Sequence, residues 1–327
     1  MYQRIRKLLT PGVLAALKII ATAGLIALLA FKLDLGYLLS LSSGIDYGYL
    51  ALAIIFTIIF IALRIGKWRV LTAASQLPAP FSVLTRNYLI SLAVGAITPV
   101  RAGEIARITV FPKDMRAKAA GLFLFDRLAD LWFVLLCALA GSYQVNTVLF
   151  IALLAAAALL GWLLLSVKQS LRRIGAVRVF GFAKNTLQPL ANVAGSVNLH
   201  SPSYWLLTAG TYISGYLSIA TLVRSLTPVD SWGFVLLLPL VTLSNVVPVT
   251  VGGLGIREGL AALLLPAAGI SAEVAATAFF TTFLLSIVLP GVVGLCWNTA
   301  LLYTKRPTNN ANTNAGPVLT EKDKQAN

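Results

Sequence analysis

Pro248-Val249-Thr250-Val251-Gly252-Gly253-Leu254-Gly255-Ile256-Arg257-Glu258-Gly259 is the stretch whose reading decides the fold. It has a counterpart earlier in the chain, Pro99-Val100-Arg101-Ala102-Gly103-Glu104-Ile105-Ala106-Arg107. Each follows an apolar run, breaks it with proline, places glycine four residues later, and adds arginine and glutamate. An unpaired ionised side chain at membrane depth costs several kcal/mol, so charges in such places need a reason. Gly/Pro-interrupted apolar segments in corresponding positions of two halves point to a transporter's binding site.

The membrane setting follows from composition. The 327 residues are 58% hydrophobic and 11% charged, with mean hydropathy +0.85; a soluble chain would be about one-quarter charged. Apolar runs of spanning length, roughly 17–25 residues, recur. One polytopic membrane domain is expected over residues 13–303, after a cytoplasmic N-terminus (1–12) and before a polar tail (304–327) whose composition predicts disorder. Arg4, Arg6 and Lys7 precede Val13–Phe31, which is long for a signal sequence and lacks a clean cleavage site, so it reads as a first membrane helix. Cys137 and Cys296 lie in apolar runs and read as buried packing residues. No disulfide, metal site or cofactor is indicated, and His200 is the only histidine.

Spanning candidates are Val13–Phe31, Tyr49–Ile65, Ala119–Gly141, Thr147–Ser166, Tyr204–Val223 and Ala275–Tyr303, the last tilted or kinked at Pro290. The positive charges decide the status of the other two apolar stretches, Ser82–Val100 and Gly233–Ile270. Arg64, Lys67 and Arg69 precede Ser82–Val100, and Arg101, Arg107, Lys113, Arg116 and Lys118 follow it. Both flanks therefore read as cytoplasmic, so this stretch enters and returns. Lys168–His200 and the Lys305–Arg306 tail read as cytoplasmic, Lys32–Gly48 and Arg224–Trp232 as external, so Gly233–Ile270 enters and returns from outside. The expected fold is all-α: about six transmembrane helices plus two oppositely oriented re-entrant hairpins, an inverted-topology repeat. Irregular backbone at membrane depth is tolerated where it is buried in protein or lines a wet cavity, so both breaks should face one internal site.

Arg101, Glu104 and Arg107 recur every third residue and share a face if a helix starts near Ala102. Helix N-terminal N–H groups with arginine make an anion site, and the guanidinium fork suits phosphate. The alternative is a salt-bridge cluster that ends a helix. Gly252, Gly253 and Gly255 let backbone approach a ligand closely. Arg257 and Glu258 follow, and Ser244 and Asn245 add neutral hydrogen-bonding groups. The alternative there is a tight loop with an exposed ion pair. Asp126, Arg127 and Asp130 interrupt an apolar helix and must face protein or water. They form either a structural salt bridge or part of the site, with Arg127 a ligand and the acids pairing with arginine or exchanging a proton. Lys18 reads as snorkelling to the interface, and Lys168–Lys184 as topology signal. Net charge +15 fits a cytoplasmic membrane face; nothing points to nucleic acid.

At these residues the chain resembles the lysylphosphatidylglycerol synthase transmembrane, or flippase-like, family. The resemblance rests on Arg64 through Trp68 (one residue wider than the family's spacing), Pro99 through Arg107, Asp126-Arg127 with Asp130, and above all Gly252 through Gly259. It spans the membrane part and implies lipid translocation. Family members handle aminoacylated phosphatidylglycerol, polyprenyl-phosphate sugars or other envelope lipids. The sequence stops at Asn327 without a soluble aminoacyl-transfer domain, so it is expected to move a lipid rather than make one.

The leading expectation is therefore a translocator in the cytoplasmic (inner) membrane that binds an anionic, phosphate-bearing lipid. Arg101, Arg107, Arg127, Arg257, Gly252, Gly253, Gly255 and Asn245 would hold the head group, and Glu104, Asp126, Asp130 and Glu258 would hold the arginines or exchange protons. A membrane-embedded transferase or phosphatase acting on a polyprenyl phosphate is the alternative, with Glu104, Asp126 and Asp130 as base or metal ligands. A third is a non-transporting partner of an envelope-lipid enzyme. No catalytic motif stands out. The topology is checked by cysteine labelling in a cysteine-free background. External reagent should modify positions in Lys32–Gly48 and Arg224–Trp232 and spare residues 167–203; external labelling of that loop sinks the two-hairpin reading.

Overall fold

The computed structural model describes residues 44–77, 79–98, 101–174, 202–229, 231–246, 250 and 253–304. Val13–Phe31 with Lys18, Pro99, Pro248, Gly252, the loop holding His200 and the tail lie outside them. Among the described residues every element is helical. Four helical stretches are long and apolar enough to cross a membrane: Tyr47–Ala74, Thr147–Leu164, Pro202–Leu226 and Ala272–Thr299.

Helix α1, Tyr47–Ala74, starts where the Asp46 carboxylate accepts from the Gly48 and Tyr49 N–H groups, supplying donors the first turn lacks. It runs well past Ile65, where the sequence reading ended it at the charges. The physical reason is that Lys67 is buried in protein beside Trp68 rather than exposed in a loop. Helix α2, Phe81–Ile97, is followed by a 3-10 helix, Ala102–Val110, that folds back along it. Asn87 lies against Thr109, and the Gly103 N–H donates to Thr98 Oγ1 at 2.7 Å. A Cβ on Gly103 would fall 2.5 Å from the Val94 carbonyl oxygen, so only glycine permits this approach.

Helix α3, Arg116–Val145, is joined at Asn146 to α4, Thr147–Ile174. Asn146 Oδ1 caps α4 by accepting from Val148 N at 2.7 Å, and the Trp132 indole N–H on α3 donates to the Ala157 carbonyl at 3.0 Å. Helix α5, Pro202–Leu226, runs antiparallel to α1. Asp46 N donates to Ser225 O at 2.9 Å, the Thr57 and Ser218 hydroxyls meet at 2.7 Å, and Gly215 and Gly210 receive Phe60 and Leu63.

A second broken hairpin follows. Its first arm is a 3-10 turn, Trp232–Leu237, continued by α6, Leu238–Leu243, and a short 3-10 turn, Ser244–Val246. Its return arm is α7, Ile256–Leu264, extended by Leu265–Ala268. Leu237 and Leu240 of the first arm pack with Leu264 and Ala268 of the second. Helix α8, Ala272–Phe283, passes through a π-turn, Leu284–Val288, into α9, Leu289–Thr304. Pro290 has no N–H and crowds the carbonyl four residues back, and the widened turn just before it absorbs that defect. Cys296, expected to be buried, is exposed on α9, and Cys137 is half-buried; an apolar thiol suits an outward face that contacts lipid.

The packing is reciprocal. The helix after the first hairpin lies on the second hairpin, through Gly141 of α3 against Leu236. The helix after the second lies on the first, through Gly291 and Gly294 of α9 against Ala93 and Leu89. Each hairpin has its own apolar core. Trp68, Tyr88, Leu92, Leu122 and Phe125 form one, and Phe234, Leu238, Ala261, Val274 and Phe279 form the other.

These close approaches give a signed test. A Cβ on Gly141 would sit 2.1 Å from the Leu236 carbonyl oxygen, which no side-chain rotation relieves. Gly141→Ala should therefore destabilise by about 1–3 kcal/mol. Gly66, mid-helix with nothing within 4 Å of its added Cβ, should behave oppositely, Gly66→Ala adding about 0.4–1 kcal/mol. Thermal unfolding in detergent should move the two variants in opposite directions; equal shifts would contradict the packing.

Candidate functional site

The site grows from the first break. Arg101 has left-handed backbone, φ 53°, and begins the 3-10 helix. A non-glycine residue pays for that conformation, and its persistence marks a place the surroundings over-determine. A 3-10 helix has three residues per turn, so Arg101, Glu104 and Arg107 stack in one line. The expected helix start at Ala102 is observed; its 3-10 winding is what makes a spacing of three effective.

Glu104 is 2% exposed and collects cations. Arg107 Nη2 is 2.7 Å from its Oε2, Arg127 Nη1 3.4 Å and Arg64 Nη2 3.9 Å. Arg107 is itself 1% exposed, its guanidinium 4.6 Å from the Tyr88 ring centroid, 4.9 Å from Phe123 and 5.3 Å from Trp68. Such an aromatic cage fixes a desolvated cation. Behind it lies a second layer. Lys67, 1% exposed, holds Asp126 at 2.9 Å and bonds Asp130 as well. The Tyr204 hydroxyl donates to Asp126 at 3.2 Å. Arg127 reaches Asp126 at 3.5 Å and Asp130 at 3.9 Å, and Arg107 reaches Asp126 at 3.7 Å. The network thus ties α1, the first hairpin, α3 and α5 together.

The second break is simpler. Gly253 and Gly255 have φ 81° and 85°, open to glycine at no steric cost. Glu258, at the third helical position of α7, accepts from the Gly255 N–H at 2.7 Å and from Arg257 Nη2 at 2.8 Å. It caps the helix and orients the arginine at once. Arg257 is 7% exposed and lies 5.5 Å from the Phe283 ring centroid.

Between the hairpins is a cavity of about 440 Å³. Arg101 and Glu104 line it from the first hairpin, Asn245 and Arg257 from the second, Arg64 from α1, and Arg127 and Asp130 from α3. Among the described lining residues four arginines face two carboxylates, an excess of two positive charges in a low-dielectric setting. That arrangement attracts an anion. Of the sequence-predicted residues, Arg101, Arg127, Arg257, Asn245, Glu104 and Asp130 come together at the cavity. Arg107, Asp126, Glu258, Gly253 and Gly255 stand behind it as support, and Gly252 lies outside the described residues. Among those residues no cluster of three or more metal-ligating side chains occurs.

Sequence reasoning missed Arg64, Lys67 and Tyr204, reading the first two as loop charges. The available signal was their spacing of three, which puts both on one helix face, opposite an Asp pair at spacing four.

The fold and site define a multi-pass membrane protein with a cationic internal cavity. The chain matches the family model described as the lysylphosphatidylglycerol synthase TM region over residues 13–294, and it belongs to that family. Nothing among curated proteins or solved structures matches it.

Removing Lys67 should be costly, because it leaves two buried carboxylates short of a cation. Lys67→Met should destabilise by roughly 3–5 kcal/mol. Adding Asp130→Asn should recover a substantial part, since Asp130 relies on Lys67 more than Asp126 does. A double-mutant cycle of thermal unfolding in detergent reads the coupling; additivity of the two changes would mean the pair is not coupled.

Proposed function

We propose that the protein translocates an anionic, phosphate-bearing lipid across the cytoplasmic membrane, as its family membership supports. The observation that carries the reading is a cavity lined by both hairpins, with Arg101 from one and Arg257 from the other. Its volume lies in the range of small-ligand sites, roughly 300–1,000 Å³. A head group fits there while the acyl or prenyl tails stay in the bilayer.

In this reading the two hairpins are re-entrant from opposite faces, halves of an inverted repeat, with both termini cytoplasmic. Alternating access follows when one half rocks against the other around the site. The reciprocal packing through Gly141 and Gly291 supports that symmetry. Arg64, Arg101, Arg127 and Arg257 grip the phosphate, and Glu104 and Glu258 aim them. A polyprenyl-phosphate sugar or a modified phospholipid has the required chemistry, and an envelope-lipid biosynthetic enzyme is the natural partner to supply it. Transport rather than catalysis is favoured because Glu104, Asp126 and Asp130 are each committed to cations, which leaves none poised as a general base.

Arg257 gives the sharpest check. Arg257→Ala should abolish lipid movement in proteoliposomes while the protein remains monodisperse. Arg257→Lys should still lose about tenfold, because lysine lacks the planar fork. Wild-type transport by Arg257→Ala would end the assignment.

A further inference from the structure

Helices α8 and α9 together make one stretch long and apolar enough to cross a membrane, Ala272–Thr299, yet its two ends belong to different cores. Val274, Ala275 and Phe279 on α8 pack with Phe234, Leu238 and Ala261, in the core of the second hairpin. From Phe283 onward the packing changes over to the first: Phe283 and Ile287 join Tyr88, Leu89 and Leu92. The changeover falls at the π-turn, Leu284–Val288, where the Leu289 N–H donates five residues back to the Leu284 carbonyl. Thr282, Ser286 and Ile287, at and beside the turn, line the cavity.

What lies on either side of the turn is rigid. After it, a Cβ on Gly291 would fall 2.8 Å from Ala93 N and one on Gly294 2.7 Å from Ile90 N, so α9 sits backbone to backbone on the first hairpin. Before it, α7 and α8 are closed into one unit. Ala261 and Leu265 share a core with Val274 and Ala278. The connection between the two helices is tied by the Gly269 N–H to Pro266 O at 3.1 Å and the Ile270 N–H to Leu265 O at 3.3 Å. Ser271 Oγ caps α8 by accepting from Val274 N at 3.3 Å. A helix in apolar surroundings cannot exchange a broken backbone bond for water, so bending concentrates where regular bonding is already given up. The π-turn is such a place, and Pro290 just after it has no N–H to offer the carbonyl four residues back.

We propose that Leu284–Val288 is a hinge: α7 and α8 turn about it as one body, while α9 stays with the first hairpin. Arg257 rides on α7, its guanidinium 5.5 Å from the ring centroid of Phe283, the residue next to the turn. Bending there therefore changes the separation of Arg257 from Arg101, which lines the same cavity from the first hairpin. The inference rests on the transport reading for the purpose of the motion, and the motion itself is measured without transport. A bend of about 20°, the onset of a sharp helix kink, swings the far end of the 12-residue α8, about 18 Å long, by about 6 Å.

The test is spin-label distance measurement by double electron–electron resonance on the full chain carrying Cys137→Ala and Cys296→Ser. The protein is held in phosphatidylcholine nanodiscs with and without phosphatidylglycerol. Labels at two exposed positions, Leu263→Cys on α7 and Val293→Cys on α9, lie on opposite sides of the turn. Across the two lipid compositions this pair should show two separations about 6 Å apart, from the bend and helix length above. Leu263→Cys with Phe280→Cys, both in the moving body, and Ile97→Cys with Val293→Cys, both in the fixed one, should each show one. A π-turn holds one residue more than the α-turn it replaces, so deleting Leu284 together with Pro290→Ala keeps both flanking faces in register. That variant should reduce the Leu263–Val293 pair to one separation without lowering Tm in detergent. If it fails to fold, Pro290→Ala alone, which restores the missing N–H, should cut the less populated separation by about twofold or more. One separation for the unaltered turn in both nanodiscs, two for either control pair, or two that persist undiminished in the variants each overturn the hinge. Lipid movement in proteoliposomes separates the two readings: two separations in a chain that moves no lipid keep the hinge and overturn translocation, and lipid movement with one fixed separation does the reverse.

Discussion

Ionised side chains inside an apolar chain must find their counter-charges in the protein, and that requirement organises this molecule. Lys67, Arg107, Glu104 and Asp126 are each at most 2% exposed. Lys67 comes from α1, Glu104 and Arg107 from the first hairpin, and Asp126 and Asp130 from α3. Ion pairs of this kind add little net stability over apolar packing, but they penalise any arrangement that separates the partners. Their contribution is therefore to register: they fix how α1, α3 and the hairpin dock, and in doing so they hold the cavity wall in place.

The supporting layer also explains why some arginines face the cavity and others do not. Arg107 is enclosed by Trp68, Tyr88 and Phe123 and bonded to Glu104, so its charge is used within the protein. Arg127, with about a third of its side chain exposed, lines the cavity while three carboxylates hold its guanidinium at 3.4–3.9 Å. Glu258 does the same for Arg257 while capping α7. Carboxylates that hold cations in place preorganise them, which lowers the ordering cost when an anion arrives.

The fold was legible where chain chemistry is local. Proline and glycine at the breaks located both interrupted segments, and apolar length located the four helical stretches able to cross a membrane; the fifth span expected among the described residues, Ala119–Gly141, falls in α3, which is not one of those four. The site was legible where a charge interrupted an apolar run, as at Asp126, Arg127, Asp130 and Arg257. It was not legible at Arg64 and Lys67, because a charge near the end of an apolar run looks the same whether it ends a helix or pairs inside one. Only the position of Asp126 and Asp130 across the interface separates those cases, and that is tertiary information. Hydropathy stopped α1 at Ile65 for the same reason. Cys296 failed differently: in a membrane protein an apolar position is as much at home on the outer face as in the core.

The two hairpins differ in a way that bears on motion. The first is tied into the ion network through Glu104 and Arg107, with contacts to α1 and α3. Among the described residues the ion pair of the second, Arg257 with Glu258, lies wholly within its own α7. Moving the first hairpin against α1 and α3 would separate several buried pairs, each costly to break. Moving the second, with α7, carries its ion pair along and disturbs mainly apolar contacts such as Phe234, Leu238 and Ala261. Such contacts lack direction and can slide at low cost compared with parting buried charges. The buried ion pairs thus bind the first hairpin to α1 and α3, whereas the second hairpin is joined to its neighbours mainly through apolar packing.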